Sequence, residues 1–331
     1  TLSAGAVTLS ATGRTTATAT ASGAAVSTGS GTSVGAAVAL TVASLIKNAA
    51  VASGVSLTVG SLALTAGGAG TNSFGAKATS GAGGGELGVA GSVAILVVKV
   101  LADATLNTSV TVSGGDVAAT AASTSVSVTE ALPGENGVTG TKTGIGVSFA
   151  LSVIDDTVRA GIADGVAVTG AHHVRLSATA GHDTTTTAKT GAKAPTGVAP
   201  AVAITISNVT TSARIGTGAT LVASGDIEVL ADQDARVKTV AAGDTEGSDT
   251  AVGVALALSY AVHTVTAEVA RNLTAGGAIT VRALGVSVVT SDATASAAGA
   301  PQEESSTPAD GVDAQVAGER SNADSVATSS G

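Results

Sequence analysis

The chain has 331 residues, of which 44% are hydrophobic and 12% charged, and its formal net charge is −9 at pH 7. It contains two Phe, one Tyr, no Trp, no Met and no Cys, so small residues such as Ala and Val must fill its interior, and disulfides, zinc–thiolate sites and thiol nucleophiles are excluded. Small side chains suit a narrow core between closely spaced backbones, and the acidic balance excludes the basic field that binds nucleic acid.

The sequence begins at Thr1, and it shows no basic segment followed by an apolar one and no apolar run approaching about 18 residues. We therefore expect no signal peptide or membrane span within it, and any export signal or anchor to lie outside these residues. A cysteine-free chain suits export in the unfolded state. These features predict a secreted protein at the cell surface or outside the cell.

An internal repeat of roughly 54 residues organises the chain. Residues 1–33 are interpreted as the closing half of a preceding copy, and residues 300–331, which are acidic and Ser-rich, as a loop or linker to a further copy. The complete copies are 34–87, 88–143, 144–196, 197–251 and 252–299. Equivalent positions are predicted at Leu40, Leu96, Leu151, Ile204 and Leu258.

Each copy alternates with a period of two, which is typical of β-strands. In the last copy Val254, Leu256 and Leu258 share one face, and Ala255 and Ala257 the other. The pattern predicts that the larger side chains face the core. The small face is then expected to lie outside, as a second contact surface for a neighbouring sheet or fibre.

Turn signals divide each copy, as at Asp164-Gly165, Gly114-Gly115-Asp116 and Gly225-Asp226. Short strands separated by such turns favour an all-β, repetitive parallel β-helix (β-solenoid), with two or three coils in each copy. An array of small β-sandwiches is the alternative, although a unit of this length without aromatic residues is short for a sandwich.

Polar segments of variable sequence recur between the copies and are predicted to be insertion-tolerant loops on one edge. They are Gly81–Leu87, Leu132–Thr143, Lys189–Pro195 and Ala242–Thr250.

Units such as GVALALS, followed by TVTAEV and ITVRA, resemble the repeats of large bacterial filamentous adhesins and leukotoxin-type exoproteins, to which filamentous haemagglutinin is related. The resemblance covers residues 1 to about 299. It implies a right-handed parallel β-helix shaft, export by a two-partner or comparable pathway, and attachment to host cells, surfaces or sister fibres.

Asp155 and Asp156 are a candidate calcium site or acid–base pair. The other copies lack the pair, and it falls where the strand alternation changes phase. A solvated turn is the competing interpretation, and it is the one we favour.

His172, His173, His182 and Asp183 lie within a dozen residues and are candidate metal ligands. One copy alone carries them, which favours exposed turn residues. We therefore predict no metal, no cofactor and no catalytic residue.

Thr15–Thr20 and Thr184–Thr187 indicate a Ser/Thr-rich strand face, and Asn107, Asn208 and Asn272 open Asn-x-Ser/Thr glycosylation sequences. The glycosylation sequences do not share one position in the repeat.

The composition and the repeat favour a non-enzymatic shaft segment of a secreted bacterial surface fibre or adhesin. The expected partners are copies of itself, adjacent repeats of a longer chain, and a host or abiotic surface. A module that binds ice, glycan or mineral through its Ser/Thr face, and a β-helix polysaccharide lyase, are the alternatives.

Overall fold

The computed structural model describes residues 2–298, and these residues form an all-β protein. The first strands are β1 (Leu2–Ala11), β2 (Thr16–Val26), β3 (Thr32–Asn48), β4 (Leu57–Gly67), β5 (Asn72–Leu106), β6 (Val110–Val112), β7 (Val117–Ile162) and β8 (Val168–Thr169). The remaining strands are β9 (Val174–Lys193), β10 (Thr196–Ile215), β11 (Leu221–Ala223), β12 (Ile227–Glu246), β13 (Thr250–Val269), β14 (Leu273–Ala275) and β15 (Ile279–Ala298).

The named strands pair in parallel with strands that lie far away in the sequence. Ile227 pairs with Ile279, for example, and Val110 pairs with Val168. The predicted all-β class is therefore confirmed, and the parallel sheet is compatible with a β-helix. Among residues 2–298 there is no helix of the length and apolarity needed to cross a membrane.

The strands form two long walls and one short side. Wall A contains β2, β9, β12 and β15, with 6–11 of β1, 62–67 of β4, 72–83 of β5 and 117–131 of β7. Wall B contains five rows, which are β3, 87–106 of β5, 143–162 of β7, β10 and β13. Side C contains 2–4 of β1 and 57–59 of β4, with β6, β8, β11 and β14.

Walls A and B face each other without pairing, since β10 contacts β9 and β12, and β13 contacts β12 and β15. The space between them has two parts. Near side C it is filled by larger aliphatic residues such as Ile162, Leu176 and Leu221, while farther away it is narrow and rich in alanine, as at Ala94, Ala150 and Ala203. Alanine predominates there because opposite backbones lie close together at most positions, although Phe74 and Leu96 are also buried in this part.

The expectation for the alternating faces of wall B is wrong. Ala201 and Ala203 are fully buried between the walls, whereas Leu256 and Leu258 point outward and are each 50% exposed. The sequence pattern correctly assigns these residues to two faces of the strand. It does not show which of the two faces points to the core. Because most inward positions of the narrow part have room only for small residues, most of the larger aliphatic residues take the outer positions.

The structure also shifts one predicted equivalence by a residue. Leu40 pairs with Ile95, which pairs with Leu151, and Leu96 pairs instead with Thr41. Leu96 therefore points inward and is fully buried. A slip of one residue moves a side chain to the other face of a strand.

The polar segments between the copies lie where wall A leads into wall B. Two of them, Gly81–Leu87 and Leu132–Thr143, are not separate loops, because β5 and β7 continue through them. Bulges there shift the pairing between Ser80 and Leu87. Gly84 and Gly137 have φ angles of +82° and +60°, which only glycine adopts without strain.

Candidate functional site

The outer surface of wall B carries a continuous block of non-polar side chains, here called the apolar face. Five outward positions recur in each of the five rows, and the strand register places them in columns. The rows are Val34, Ala36, Val38, Leu40 and Val42; Val89, Gly91, Val93, Ile95 and Val97; Ile145, Val147, Phe149, Leu151 and Val153; Val198, Pro200, Val202, Ile204 and Ile206; and Val252, Val254, Leu256, Leu258 and Tyr260.

The apolar face carries no charged residue. Its first charged neighbours lie one column farther along the strands, where Lys99 pairs with Asp155 at a nitrogen–oxygen distance of 3.8 Å. The most exposed members of the face include Val42 at 70% and Tyr260 at 63%.

The size of the apolar face follows from strand geometry. Five parallel strands about 4.8 Å apart and nine residues at about 3.3 Å each give a rectangle of about 24 by 30 Å, or about 700 Å². The largest apolar patch on a typical monomer covers about 300–600 Å². The apolar face is therefore large enough to be an interaction surface.

The outer surface of wall A is polar and charged. Lys77 bonds to Glu130, Arg175 to Glu228 and Lys193 to Glu246, at 2.7–3.0 Å, and each pair joins register partners in adjacent rows. Opposite charges in neighbouring rows favour this register over its alternatives. The protein thus has one solvated wall and one apolar wall.

A chain of hydroxyl groups crosses between the walls, row after row, and all of its members except the last two are buried. Its oxygen–oxygen distances are 2.7–2.8 Å, and each link joins a residue of wall A to one of wall B. In order, its members are Thr129, Ser152, Thr186, Thr205, Thr239, Ser259 and Ser291. We call this chain the hydroxyl ladder.

The hydroxyl ladder changes the interpretation of Thr184–Thr187. Thr184 and Thr186 are fully buried, while Thr185 and Thr187 point outward. Half of this threonine run therefore belongs to the interior.

The solvated-turn interpretation of Asp155 and Asp156 is wrong, because both lie within β7 in wall B. The strand alternation continues through them, so Asp155 points outward to Lys99 while Asp156 is fully buried. The two carboxylates point to opposite faces and do not form a joint calcium or acid–base site.

Asp156 meets His182 of wall A inside the protein. Oδ2 of Asp156 lies 3.8 Å from Nδ1 of His182 and accepts hydrogen bonds from the hydroxyls of Ser123 (3.2 Å) and Ser125 (3.5 Å). Nε2 of His182 lies 2.6 Å from the Thr184 hydroxyl.

Burial dominates the titration of both groups. It raises the pKa of Asp156 to about 7, although the two serines and the charge of Lys47 oppose the rise. Burial also lowers the pKa of His182 to about 4, with a smaller contribution from His263. Near neutral pH the imidazole is uncharged and the carboxyl group is partly protonated. Among the described residues, Asp156 Oδ1 and His182 Nδ1 have no hydrogen-bond partner.

His172 and His173 lie in the turn before β9, apart from Asp183, which is exposed on the outside of wall A. His172 Nδ1 lies 3.4 Å from Asp116 Oδ1, and the ligand atoms of Asp116, His172 and His173 lie within 4.8 Å of one another. This grouping has the residue types of a transition-metal site.

The hydrogen bonds of His173 point to a different role. Its Nδ1 accepts the backbone N–H of Asp226 at 2.8 Å, so in the neutral ring Nε2 carries the proton and no lone pair is left for a metal. In the rows before and after, Asp116 Oδ1 accepts the N–H of His173 (3.1 Å) and Asp226 Oδ1 accepts that of Ala278 (2.7 Å). His173 thus acts as one acceptor in a stack of turn residues.

The three candidate glycosylation residues are all exposed. Asn107 and Asn272 lie in connections between strands, and Asn208 lies on the outside of wall B, next to the apolar face. Their exposure allows modification but does not select one of them.

Comparisons with protein-family models, with curated proteins and with solved structures find no match for this chain. Its function must therefore be inferred from the residues themselves. The sequence-based prediction missed the apolar face because it assigned the larger residues to the core. The signal was present in the alternation, since large aliphatic residues predominate at one parity in all five copies and small ones at the other, with Leu96 as an exception.

Proposed function

We propose that the chain is a non-enzymatic shaft segment of a secreted bacterial surface fibre or adhesin. In this proposal it is a right-handed β-helix in which each sequence repeat supplies one coil. The observation that carries the proposal is the parallel pairing of every row of wall B with the equivalent row of the neighbouring copy, as when Thr143 pairs with Leu87 on one side and Thr196 on the other.

One coil per repeat replaces the two or three coils predicted from the turn signals. Support comes from the pairing of one copy with the next along wall A, wall B and side C alike. The right hand follows from the twist of L-amino-acid strands, which favours right-handed parallel crossovers.

The polar contacts between adjacent rows support a role as a shaft. The hydroxyl ladder, the ion pairs of wall A and the acceptor stack at Asp116, His173 and Asp226 all join one row to the next. Interactions of this type hold an elongated stack together, because each repeat contacts only its neighbours.

The shape of the molecule in solution tests this proposal. Small-angle X-ray scattering and negative-stain electron microscopy of the full chain should show an object that lengthens by about 4.8 Å for each added repeat. A variant with residues 144–196 duplicated supplies the comparison. A particle whose cross-section grows while its length stays constant would contradict the shaft.

A further inference from the structure

We infer that the apolar face is an interface that packs against the apolar face of a second copy of this chain. This inference rests on the proposed shaft and names the partner of one of its walls. The two walls B would lie face to face, about 10 Å apart, as sheets do when they pack.

Wall B is apolar on both of its sides. Ala203 faces the core, while its neighbours Val202 and Ile204 face outward. Parallel strands that are apolar on both sides are typical of sheets covered on both faces. The outer side of wall B lacks this cover within residues 2–298.

The apolar face also matches a protein–protein interface in size. A stable interface buries about 800 Å² on each partner, and the apolar face offers about 700 Å² in projection. Side-chain relief increases the accessible area further, so one apolar face on each copy is sufficient.

The regular spacing of the apolar face favours a copy of itself over an unrelated partner. Side chains recur about every 4.8 Å between rows and about every 6.6 Å along each strand. A second face with the same spacings can interdigitate with it, as identical sheets do in dry interfaces.

The composition of residues 300–331 does not suit a cover for the apolar face. Residues 300–331 contain three valines, no Leu, no Ile and no aromatic residue. A segment of this composition cannot match an apolar face that spans all five rows of wall B, whereas a second apolar face of the same size and spacing can.

The test compares two substitutions in the same strand, on opposite outer surfaces. Leu151→Glu puts a charge at the centre of the apolar face, between Ile95 and Ile204, while Val128→Glu puts the same charge on the outside of wall A, beside Thr185. Sedimentation equilibrium of the full chain from about 1 to 100 µM measures self-association, and circular dichroism checks that each variant keeps its strands.

We expect the unchanged chain and Val128→Glu to sediment as dimers of the 30.8-kDa chain. Leu151→Glu should weaken association at least about thirtyfold, because it would bury an unpaired charge in the interface. A monomeric unchanged chain at 100 µM, or equal loss of association in both variants, overturns the inference.

A second measurement keeps the inference testable if Leu151→Glu does not fold. The chain has no cysteine, so Asn208→Cys at the rim of the apolar face and Asp183→Cys on wall A each introduce a single thiol. Attaching a bulky maleimide polymer to the folded proteins should block dimers of the first variant and leave the second dimeric. The opposite pattern overturns the inference.

The outcomes separate this inference from the proposed function. A monomer that still lengthens with an added repeat overturns the interface but leaves the shaft. A monomer that binds polystyrene beads, and loses binding with Leu151→Glu, assigns the apolar face to an abiotic surface and also overturns the inference.

Discussion

The carboxyl group of Asp156 lies 3.8 Å from the imidazole of His182, and both side chains are closed off from solvent between the two walls. Asp156 comes from the third row of wall B and His182 from the strand that faces it. The two adjacent rows of wall B have no equivalent carboxylate, since the register partners of Asp156 are Val100 and Val209. One layer of the core therefore holds two titratable groups whose pKa values burial shifts in opposite directions, upward for Asp156 and downward for His182.

Asp156→Asn should stabilise the protein increasingly as the pH rises. Because burial raises the pKa of Asp156 to about 7, the unfolded chain releases this proton more readily, and the free energy of unfolding falls between about pH 4 and pH 7. Asparagine does not titrate, so the variant lacks this decrease in the free energy of unfolding. Urea unfolding should show a gain over the unchanged chain that grows across this window to at most about 4 kcal/mol and is constant above pH 7.

His182→Gln should give the opposite dependence. Because burial lowers the pKa of His182 to about 4, the folded protein resists protonation, and its stability falls as the pH drops from about 6.5 to about 4. The variant should therefore gain stability over the unchanged chain as the pH drops through that window, by at most about 3 kcal/mol.

The double variant with Asp156→Asn and His182→Gln is the control for both pH measurements. Its free energy of unfolding should lack the pH-dependent contributions of both Asp156 and His182. Comparing the double variant with each single variant therefore gives the contribution of one group at a time. If the stability gain of either single variant changes with pH in the way expected for the other variant, the directions assigned to the pKa shifts are wrong.

Thr205→Val should destabilise the protein by about 2–3 kcal/mol, because valine keeps the shape but leaves two buried partners with one bond fewer. Thr205 is fully buried in the hydroxyl ladder, and its hydroxyl lies 2.7 Å from those of both Thr186 and Thr239. Thr264→Val, at an exposed outward position of β13, is the control and should change the urea midpoint little. Equal effects of the two substitutions would contradict the ladder.

His173→Asn and His173→Ala separate an acceptor role from a metal role. The oxygen of asparagine can accept the Asp226 N–H as His173 Nδ1 does, whereas alanine cannot. We expect Asn to retain the thermal midpoint and Ala to lower the stability by about 1 kcal/mol. If zinc, measured by calorimetry, stabilises the unchanged chain but neither variant, His173 is a ligand and the acceptor interpretation is wrong.

The sequence predicts the all-β class because alternation and turn residues are local signals. Gly114 and Gly165, for example, adopt the positive φ angles that their turns require. The direction of the apolar face is not a local property. Leu258 resembles a core residue until the distance between the walls is known, and that distance depends on alanines from distant copies such as Ala203.

The pairing of Asp156 with His182 was equally beyond local reasoning. The two residues belong to different strands on opposite walls, so their contact depends on the register of both walls at once. What the sequence does show is that adjacent aspartates in a strand point to opposite faces. That rule alone is enough to exclude a joint site once β7 is known to continue through Asp155 and Asp156.

Replacing a glycine with alanine should destabilise the protein between the walls but not on the outside of wall B. A Cβ atom on Gly243, where wall A comes close to wall B, would collide with the backbone oxygens of Ala199 and Val254, which cannot move without disturbing their rows. A Cβ on Gly91, in the apolar face, meets nothing within 4 Å. Gly243→Ala should therefore cost about 1–3 kcal/mol or more, as overpacking does.

Gly91→Ala should instead be neutral or stabilise by about 0.5 kcal/mol, because alanine loses less backbone freedom than glycine when a strand forms. It also adds a methyl group to the apolar face, so dimerisation should be retained or strengthened. Urea unfolding of both variants at low protein concentration separates the folding effect from association. Destabilisation by Gly91→Ala as large as that by Gly243→Ala would mean that wall B is crowded on its outer side, and the assignment of its two faces would then be wrong.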